Sequence, residues 1–470
     1  MPMERFDLID SFGDAVLAGN GAMFVGAGLS LDAGMPGWKG LLLGLKDKCE
    51  IPSMEDLPLL AEYIANDAKN AGRAALEEHI LDEIASKGCV PTDGHQLVGR
   101  IPIQEIWTTN YDRLLESALG QDVTVAITDS DIQSIGSARR TLVKMHGSIS
   151  NGPPPVWAAR PVITRSDYEQ YEQKHPRTWA LLRAAYLSRT ILFLGFSFTD
   201  PNVEVLLRLA RQLGTAVTDR HMTVMKRPTD TDELRLHELR VRDLESSGVK
   251  VCEINEYSEL GTVLQELVRR TRPPQVFISG SAGKNAGGGE NPDETILPWC
   301  EPIAQQITDD ANWLLTSLGG PAGWQITRDV ARARRAEDTY DPHLLTFHFR
   351  SKQEPPPRMD ERIGTAVYTS LEREQLVGGL LDDCRALVAV CGGRRTAEEI
   401  RWARERGVGV IPVAASGGAA RAYWEEVGTQ PPDLGGRPTD LDVWRRLGDG
   451  NYVVAARAAY TLLKQAMYQR

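Results

Sequence analysis

Short apolar runs rich in β-branched residues alternate along the chain with longer runs in which apolar residues recur every three or four positions. The short runs predict buried strands, and the longer runs predict amphipathic helices. The predicted strands cover residues 22–25, 103–108, 123–127, 142–145, 191–194, 222–225 and 249–254, then 275–278, 345–349, 386–390 and 408–413. Predicted helices include 111–119, 203–213, 260–270 and 396–406, with a long, mostly helical stretch over 55–87. This alternation is typical of α/β folds.

Two consecutive prolines, Pro273 and Pro274, separate the first series of strands from the second. They end the helix predicted before them and stiffen a short connector. We therefore predict two Rossmann-like domains with mostly parallel sheets, residues 1–270 with a helical insertion and residues 274–470. Such folds bind ligands beyond the carboxyl ends of their strands. Two stretches rich in Gly and Pro predict surface loops, 283–292 and 354–357.

Composition narrows the class of protein. The 470 residues, 42% hydrophobic and 25% charged, exclude a disordered or fibrous chain. The net charge of −11 offers no global surface for nucleic acid or anionic lipid, although a local basic pocket is compatible with it. The N-terminus lacks the pattern of a signal peptide. The most apolar stretch, 191–196, is far shorter than the roughly 20 residues of a membrane helix. We expect a soluble cytoplasmic protein.

The six cysteines form no C-x-x-C pair, which excludes a zinc ribbon and gives no disulfide framework. Reduced cytosolic thiols fit this pattern best. We therefore predict no metal site.

Candidate chemistry in the first domain lies at strand ends. Small residues follow the first strand, in the order Gly26, Ala27, Gly28, Leu29 and Ser30, and such a turn lets backbone N–H groups approach a diphosphate. Packing explains a glycine turn equally well. Asn110 and Asp112 follow the next strand and can orient a ribose, a water or a carboxamide. Both are also good helix N-caps.

Two further strand ends carry polar groups. His146 can act near neutral pH as a general base or polarise a ribose hydroxyl, although a lone histidine is more often structural. The segment 195–202 offers Gly195 for a close approach, the Ser197 hydroxyl, Asp200 as a helix cap, and Asn202.

The ordered set GAGxS, TNxD, HG and GxSxxD–N resembles the catalytic domain of sirtuins over about residues 15–270, and is most similar to the bacterial sirtuin-like branch that hydrolyses NAD. The run VITRSDYEQY over 162–171 also looks like that branch. The resemblance implies NAD as substrate, bound over the first glycine turn, with Asn110 and His146 as the catalytic pair. It places Asp112 near the nicotinamide, and Gly195, Ser197 and Asn202 around the adenosine ribose or phosphate.

The sequence departs from the sirtuin pattern in two ways. Deacylating sirtuins carry a four-cysteine zinc module, whereas residues 1–270 hold only three cysteines, none at metal spacing. Trp38 and Lys39 replace the usual Phe-Arg pair. These departures favour water over acetyl-lysine as the nucleophile.

The second domain begins with a strand and a small-residue loop that includes Gly280 and Ser281. A later strand ends in Gly392 and Gly393 and is followed by Arg394, Arg395, Thr396 and Glu399. The arginines could hold phosphates by charge-assisted bonds, while Thr396 and Glu399 alternatively form a helix capping box. Arg373, between these elements, is a candidate ligand residue or a solvated helix charge.

The pattern GGxxTxxE after a strand resembles SLOG domains, which bind nucleotide-derived ligands. A sirtuin-like domain followed by a SLOG domain resembles the effector family of the Thoeris anti-phage system. That resemblance implies a homotetramer activated by a cyclic ADP-ribose isomer from a TIR-domain partner enzyme. It assigns binding of this cyclic ADP-ribose isomer to Arg373, Arg394 and Glu399. The pair Arg394 and Arg395 stands where the family resemblance leads us to expect a lysine.

Two other functions stay open at this point. The first domain could sense NAD or ADP-ribose without cleaving it, which the presence of both Asn110 and His146 argues against. It could also be a zinc-less deacylase or ADP-ribosyltransferase, which the missing zinc ligands disfavour.

Overall fold

The computed structural model describes residues 2–69, 71–213, 220–282, 295–310, 312–351, 359 and 361–468. The predicted surface loops 283–292 and 354–357 lie outside these residues. The chain divides into two compact units, Met1–Leu267 and Val268–Arg470. Each unit has its own parallel sheet and its own hydrophobic core.

The N-terminal unit is built on seven parallel strands in the spatial order β3-β4-β2-β1-β5-β6-β7. The strands are β1 Gly21–Val25, β2 Glu105–Thr108, β3 Thr124–Ala126, β4 Thr141–Lys144, β5 Thr190–Leu194, β6 His221–Lys226 and β7 Val249–Ile254. Every residue of the two central strands β1 and β5 is buried, as their continuous apolar runs predict for a sheet covered on both faces.

Helices connect these strands and cover the sheet. They are α1 Arg5–Leu17, α2 Gly28–Leu31, α3 Trp38–Lys48, α4 Leu57–Asn66, α5 Gly72–Ala85, α6 Asp93–Arg100, α7 Leu114–Leu119, α8 Arg165–Glu169, α9 Tyr171–Lys174, α10 Pro176–Ser188, α11 Pro201–Leu213, α12 Thr231–Ser246 and α13 Ser258–Thr271. The stretch predicted as mostly helical over 55–87 forms α4 and α5. These two helices pack with α3 in a small core of their own.

The strand order places a topological switch point between β1 and β5. From β1 the chain adds β2 on one side, and it later adds β5 on the other side. Open α/β sheets bind ligands in the crevice that this reversal leaves outside the carboxyl ends of the strands.

Three glycines allow the backbone loops at this switch point to touch. A Cβ atom on Gly26 would lie 2.5 Å from the Gly195 carbonyl oxygen, and one on Gly195 would lie 2.4 Å from the Leu29 nitrogen. The Gly28 N–H donates to the Gly195 carbonyl at 2.9 Å. Packing alone therefore requires small residues here, whatever ligand binds above them.

The C-terminal unit has six parallel strands in the order β11-β10-β9-β8-β12-β13, with a switch point between β8 and β12. They are β8 Gln275–Ser281, β9 Leu314–Ser317, β10 Leu345–Arg350, β11 Thr365–Thr369, β12 Ala386–Cys391 and β13 Gly409–Val413. The helices are α14 Leu297–Ile307, α15 Pro321–Ala336, α16 Arg373–Asp383, α17 Arg394–Glu405, α18 Gly418–Val427, α19 Leu441–Arg446 and α20 Tyr452–Ala466. The predicted class, two Rossmann-like α/β units, is thus confirmed.

The apolar pattern of the sequence does not predict two strands of this sheet, β9 and β11. β9 spans only four residues, and β11 is an edge strand with three exposed residues and no buried one. Neither produces an apolar run long enough to stand out. Among the described helices, none is both long and apolar enough to cross a membrane.

Candidate active site

Strand register brings the predicted catalytic residues together at the carboxyl ends of the strands in the N-terminal sheet. Thr108 on β2 pairs with Lys144 on β4, so Asn110 and His146 each lie two residues beyond a paired position on neighbouring strands. Val25 on β1 pairs with Thr108 in the same way. Adjacent strands lie about 4.8 Å apart, so the three loops share one end of the sheet.

The Asn110 side-chain amide is bonded through its nitrogen but not through its oxygen among the described residues. Its Nδ2 donates to the Gly26 carbonyl and to Ser30 Oγ, each at 3.2 Å. The residue is 6% exposed, and among the described residues its Oδ1 has no hydrogen-bond partner. Because the two bonds fix the amide, Oδ1 is presented as a buried acceptor that is ready for a donor from outside the chain.

Ser30 and Asp112 complete this network. The Ser30 hydroxyl donates to Asp112 Oδ2 at 3.0 Å, and Asp112 Oδ1 accepts the Leu114 N–H at 3.0 Å. The helix-cap interpretation is therefore wrong for Asn110, because α7 begins at Leu114 with Arg113 at the cap position. Asp112 does bond the first turn of that helix while it also anchors Ser30.

His95 joins the network from α6 and was not predicted. It is fully buried, and its Nε2 lies 3.4 Å from Ser30 Oγ. Its Nδ1 faces the backbone N–H and the hydroxyl of Thr92, so we assign Nδ1 as an acceptor and Nε2 as the protonated nitrogen. Burial lowers the pKa of His95, which keeps it neutral. Ser30 thus receives bonds from His95 and Asn110 while it donates to Asp112.

His146 lies in an enclosed, mostly aromatic setting. It is 2% exposed, and its Nε2 lies 3.4 Å from Asn202 Nδ2 and 3.6 Å from Asp200 Oδ2. The Tyr168 ring meets it edge-on at 5.2 Å. Burial lowers the pKa of His146, partly opposed by Asp200. The imidazole is therefore neutral near pH 7 and able to accept a proton.

Asp200 has the capping role that the sequence predicts. Its Oδ1 accepts the backbone N–H groups of Asn202 at 2.9 Å and Val203 at 3.3 Å, in the first turn of α11. This cap holds Asn202 beside His146. Ser197 behaves differently, because its hydroxyl is exposed and lies 2.7 Å from that of Thr199.

One side chain, Arg73, bonds the helical insertion formed by α3, α4 and α5 to the segment 162–171. Arg73 on α5 contacts Asp167 at 2.5 Å, Glu77 at 2.6 Å and the Pro161 carbonyl at 2.8 Å. These bonds hold the insertion against the segment that follows His146. Trp38 packs into the same helical core, with its ring 6.3 Å from that of Tyr111, whereas Lys39 is exposed.

The predicted signal residues of the C-terminal unit fall into two groups. Gly280 and Gly392 are required by close packing, since a Cβ atom on Gly280 would lie 2.1 Å from the Val390 carbonyl oxygen and one on Gly392 would lie 2.3 Å from the Thr396 hydroxyl oxygen. The Gly392 N–H donates to the Ser281 carbonyl at 2.7 Å. The switch point of this sheet is therefore built like that of the first.

Arg373 and Glu399 form the polar centre of the second group. Arg373 contacts Glu399 at 2.5 Å and Glu398 at 2.7 Å, and it lies over the Trp402 ring. Glu399 also accepts the Ser279 hydroxyl, and burial raises the pKa of Glu399. Arg394 is 92% exposed and pairs with Glu398.

The capping-box interpretation of Thr396 and Glu399 is wrong. Helix α17 begins at Arg394 with Gly393 at its N-cap, two residues before the predicted start. Glu399 is free of a capping role because it points to Arg373 and Ser279 instead.

Residues 104–248 match the SIR2-like domain family. An NAD(+) hydrolase ThsA from Bacillus cereus is 32% identical over 89% of this chain and 88% of its own length. This chain belongs to the ThsA family. Other ThsA proteins named NAD(+) hydrolase, from Acinetobacter baumannii and Enterococcus faecium, are 28% and 29% identical over 90% and 71% of this chain, and over 90% and 72% of their own lengths.

The matched regions include the polar clusters described above. The SIR2-like match contains Asn110, His146 and Asn202, while the glycine turn and Ser30 precede it. The ThsA alignments extend over most of the chain, and therefore over parts of both units. Within the described residues, no group of three or more His, Cys, Asp or Glu side chains is placed to hold a metal ion.

Proposed function

We propose that this chain hydrolyses NAD+ to nicotinamide and ADP-ribose between Asn110 and His146. The observation that carries the proposal is the Asn110 amide, whose Nδ2 is fixed by Gly26 and Ser30 while its buried Oδ1 has no partner among the described residues. Its relatives are named for this activity. The net negative charge of the chain does not exclude a dinucleotide, because a local polar site can bind one. Within the glycine turn, the N–H groups of Gly26, Gly28 and Ser30 already donate to backbone carbonyls, so these three groups are not free to bind the diphosphate.

The residues suit the chemistry of glycosidic cleavage. The bond between ribose C1′ and the nicotinamide nitrogen breaks, and its electron pair neutralises the pyridinium ring. Positive charge develops on the sugar, and a water oxygen bonds to C1′. Asn110 Oδ1 accepts a hydrogen bond from that water or from a ribose hydroxyl, and neutral His146 takes the released proton. Burial of both groups strengthens their electrostatic interactions with the reacting atoms.

A purified full-length chain tests this proposal. With NAD+ and a cyclic ADP-ribose isomer we expect equal amounts of nicotinamide and ADP-ribose by chromatography, without any peptide. Calorimetric binding of NAD+ with no product, with or without the isomers, would contradict turnover and favour the sensor function. Consumption of NAD+ only when acetyl-peptide is added would favour the deacylase.

We further propose that a cyclic ADP-ribose isomer, made by a TIR-domain partner enzyme, activates this hydrolysis by binding the C-terminal unit as a SLOG domain. The proposed ligand residues are Gly280, Ser281, Arg373, Gly392, Gly393, Arg394 and Glu399. A switch point lined by small residues and flanked by arginines supports a phosphate-bearing ligand. The chain would act as a homotetramer in the cytoplasm and deplete NAD+ during phage infection.

Arg373 offers a direct test of this regulation. It is held by Glu398 and Glu399, so a phosphate could exchange with either carboxylate. Charge-assisted bonds contribute about 1.5–3 kcal/mol, so Arg373→Ala should raise the activating concentration of the isomer at least about tenfold. Nicotinamide release is measured against isomer concentration.

Arg401→Ala is the matched control. Arg401 also lies near the Trp402 ring, but it pairs with Glu405 on the exposed face of α17. We expect its activating concentration to match that of the wild type. An unchanged value in Arg373→Ala would contradict the assignment of Arg373.

A further inference from the structure

Lys144 joins the two strands that carry the proposed catalytic residues. It ends β4, two residues before His146, and its side chain is fully buried. Its Nζ donates to the Asp112 carbonyl, to Glu116 Oε1 at 2.9 Å and to the Tyr111 carbonyl at 3.4 Å. A lysine ammonium has three donors, and all three are used here. Two of the acceptors are the backbone groups that follow Asn110 directly.

Stability alone does not explain a lysine at this position. Removing two charges from water is costly, and a buried ion pair can often be replaced by apolar side chains of similar volume without loss of stability. The pair with Glu116 is incompletely satisfied, since among the described residues Glu116 Oε2 has no hydrogen-bond partner. An apolar pair would fill the same space, but it could not bond the two carbonyl groups.

We propose that Lys144 is a positioning residue for NAD+ hydrolysis, which sets the distance between Asn110 and His146 by binding the backbone after Asn110 to the strand that precedes His146. This inference rests on the proposed function. A displacement of about 1 Å at a reacting group can cost roughly 100-fold in rate. The other cation of this loop, Arg113, is partly exposed and contacts Glu116 Oε1 at 3.8 Å, whereas Lys144 binds the backbone carbonyls of the loop.

The test separates positioning from stability with two variants of the full-length chain. Lys144→Met keeps an unbranched side chain that is one atom shorter and removes the three bonds. The double variant Lys144→Met with Glu116→Leu also removes the buried carboxylate, whose remaining cation would be Arg113 at 3.8 Å. We expect kcat for NAD+ to fall about 30- to 100-fold in both, with KM within about threefold of the wild type. The thermal midpoint should fall in the single variant and recover in the double variant.

Arg140→Met is the matched control. Arg140 precedes β4 and donates to the carbonyls of Val98, Gly99, Ile101 and Ile103, at the opposite end of the same two strands. It is therefore a cation that binds backbone carbonyls far from Asn110. This variant should lose thermal stability and keep the wild-type kcat.

The outcomes are distinguishable. A double variant that regains the wild-type kcat together with its thermal midpoint would show that Lys144 is structural only, and would overturn the proposal. An equal loss of kcat in Arg140→Met would also overturn it. If the wild type itself releases no nicotinamide from NAD+, with or without cyclic ADP-ribose isomers, the proposed function fails instead. Should Lys144→Met not fold, the double variant decides.

Discussion

Asn110→Ala should abolish nicotinamide release, with kcat at least about 1000-fold below that of the wild type. The variant removes Oδ1, a buried acceptor that has no hydrogen-bond partner among the described residues. It leaves the Ser30–Asp112 bond and the Asp112 contact with α7 in place, so the loop should stay folded. Stopped assays at saturating NAD+ measure the loss, and unfolding midpoints check the fold.

The variant Asn110→Asp tests whether activity requires the Nδ2 donor of Asn110. The carboxylate keeps an acceptor but replaces the Nδ2 donor, so an oxygen would face the Gly26 carbonyl and Ser30 Oγ. The side chain should turn away and activity should stay low. Asn255→Ala, at an exposed asparagine beyond β7, serves as the control and should behave as the wild type. A wild-type rate in Asn110→Ala would contradict the assignment.

His146→Gln should lower kcat by about 1000-fold, because a glutamine cannot accept the proton that hydrolysis releases. The rate of nicotinamide release by the wild-type enzyme should also fall at acid pH as His146 becomes protonated. Burial lowers the pKa of His146 below its ordinary 6.5, so the neutral base persists as the pH falls to 6.5. Activity should then decline only as the pH falls through the lowered pKa. Rates of nicotinamide release between pH 5 and 8 measure this acid limb of the pH profile.

His221→Gln provides a control matched in burial. His221 is fully buried in the same unit, and burial lowers its pKa to about 3. It begins β6, at the opposite end of the sheet from the candidate site. This variant should keep both the rate and the acid limb. An acid limb centred above pH 6.5 in the wild type, or an active His146→Gln, would contradict the role of His146.

Much of the N-terminal unit could be predicted because its strands are buried on both faces. Continuous apolar runs such as those of β1 and β5 are strong signals, and the polar groups at their carboxyl ends are easily found. Parallel register then brings Asn110 and His146 to one edge of the sheet. In the second sheet, the exposed edge strand β11 offers no such run and was missed.

The supporting residues of the site could not be predicted because their partners are distant in sequence. His95 lies 65 residues from Ser30, and Lys144 lies 32 residues from Asp112. A buried lysine or histidine has no local pattern that separates it from an exposed one. Thr92 and His95 form a capping box at the start of α6, although His replaces the Glu or Gln of the usual capping-box pattern. Either ligand binding or close packing would explain the glycines at the first switch point, Gly26, Gly28 and Gly195. The structure shows that close packing requires them.

A crystal structure of His146→Gln with NAD+ bound would show directly whether Asn110 and residue 146 meet at the nicotinamide ribose. We expect Asn110 Oδ1 to lie about 3 Å from a hydroxyl of that ribose, or from a water beside C1′. We also expect residue 146 to lie against the same ribose, with Nδ2 of Asn110 still bonded to Gly26 and Ser30. A nicotinamide ribose bound in a different cleft, or an Asn110 amide turned so that Oδ1 bonds within the protein, would contradict this expectation.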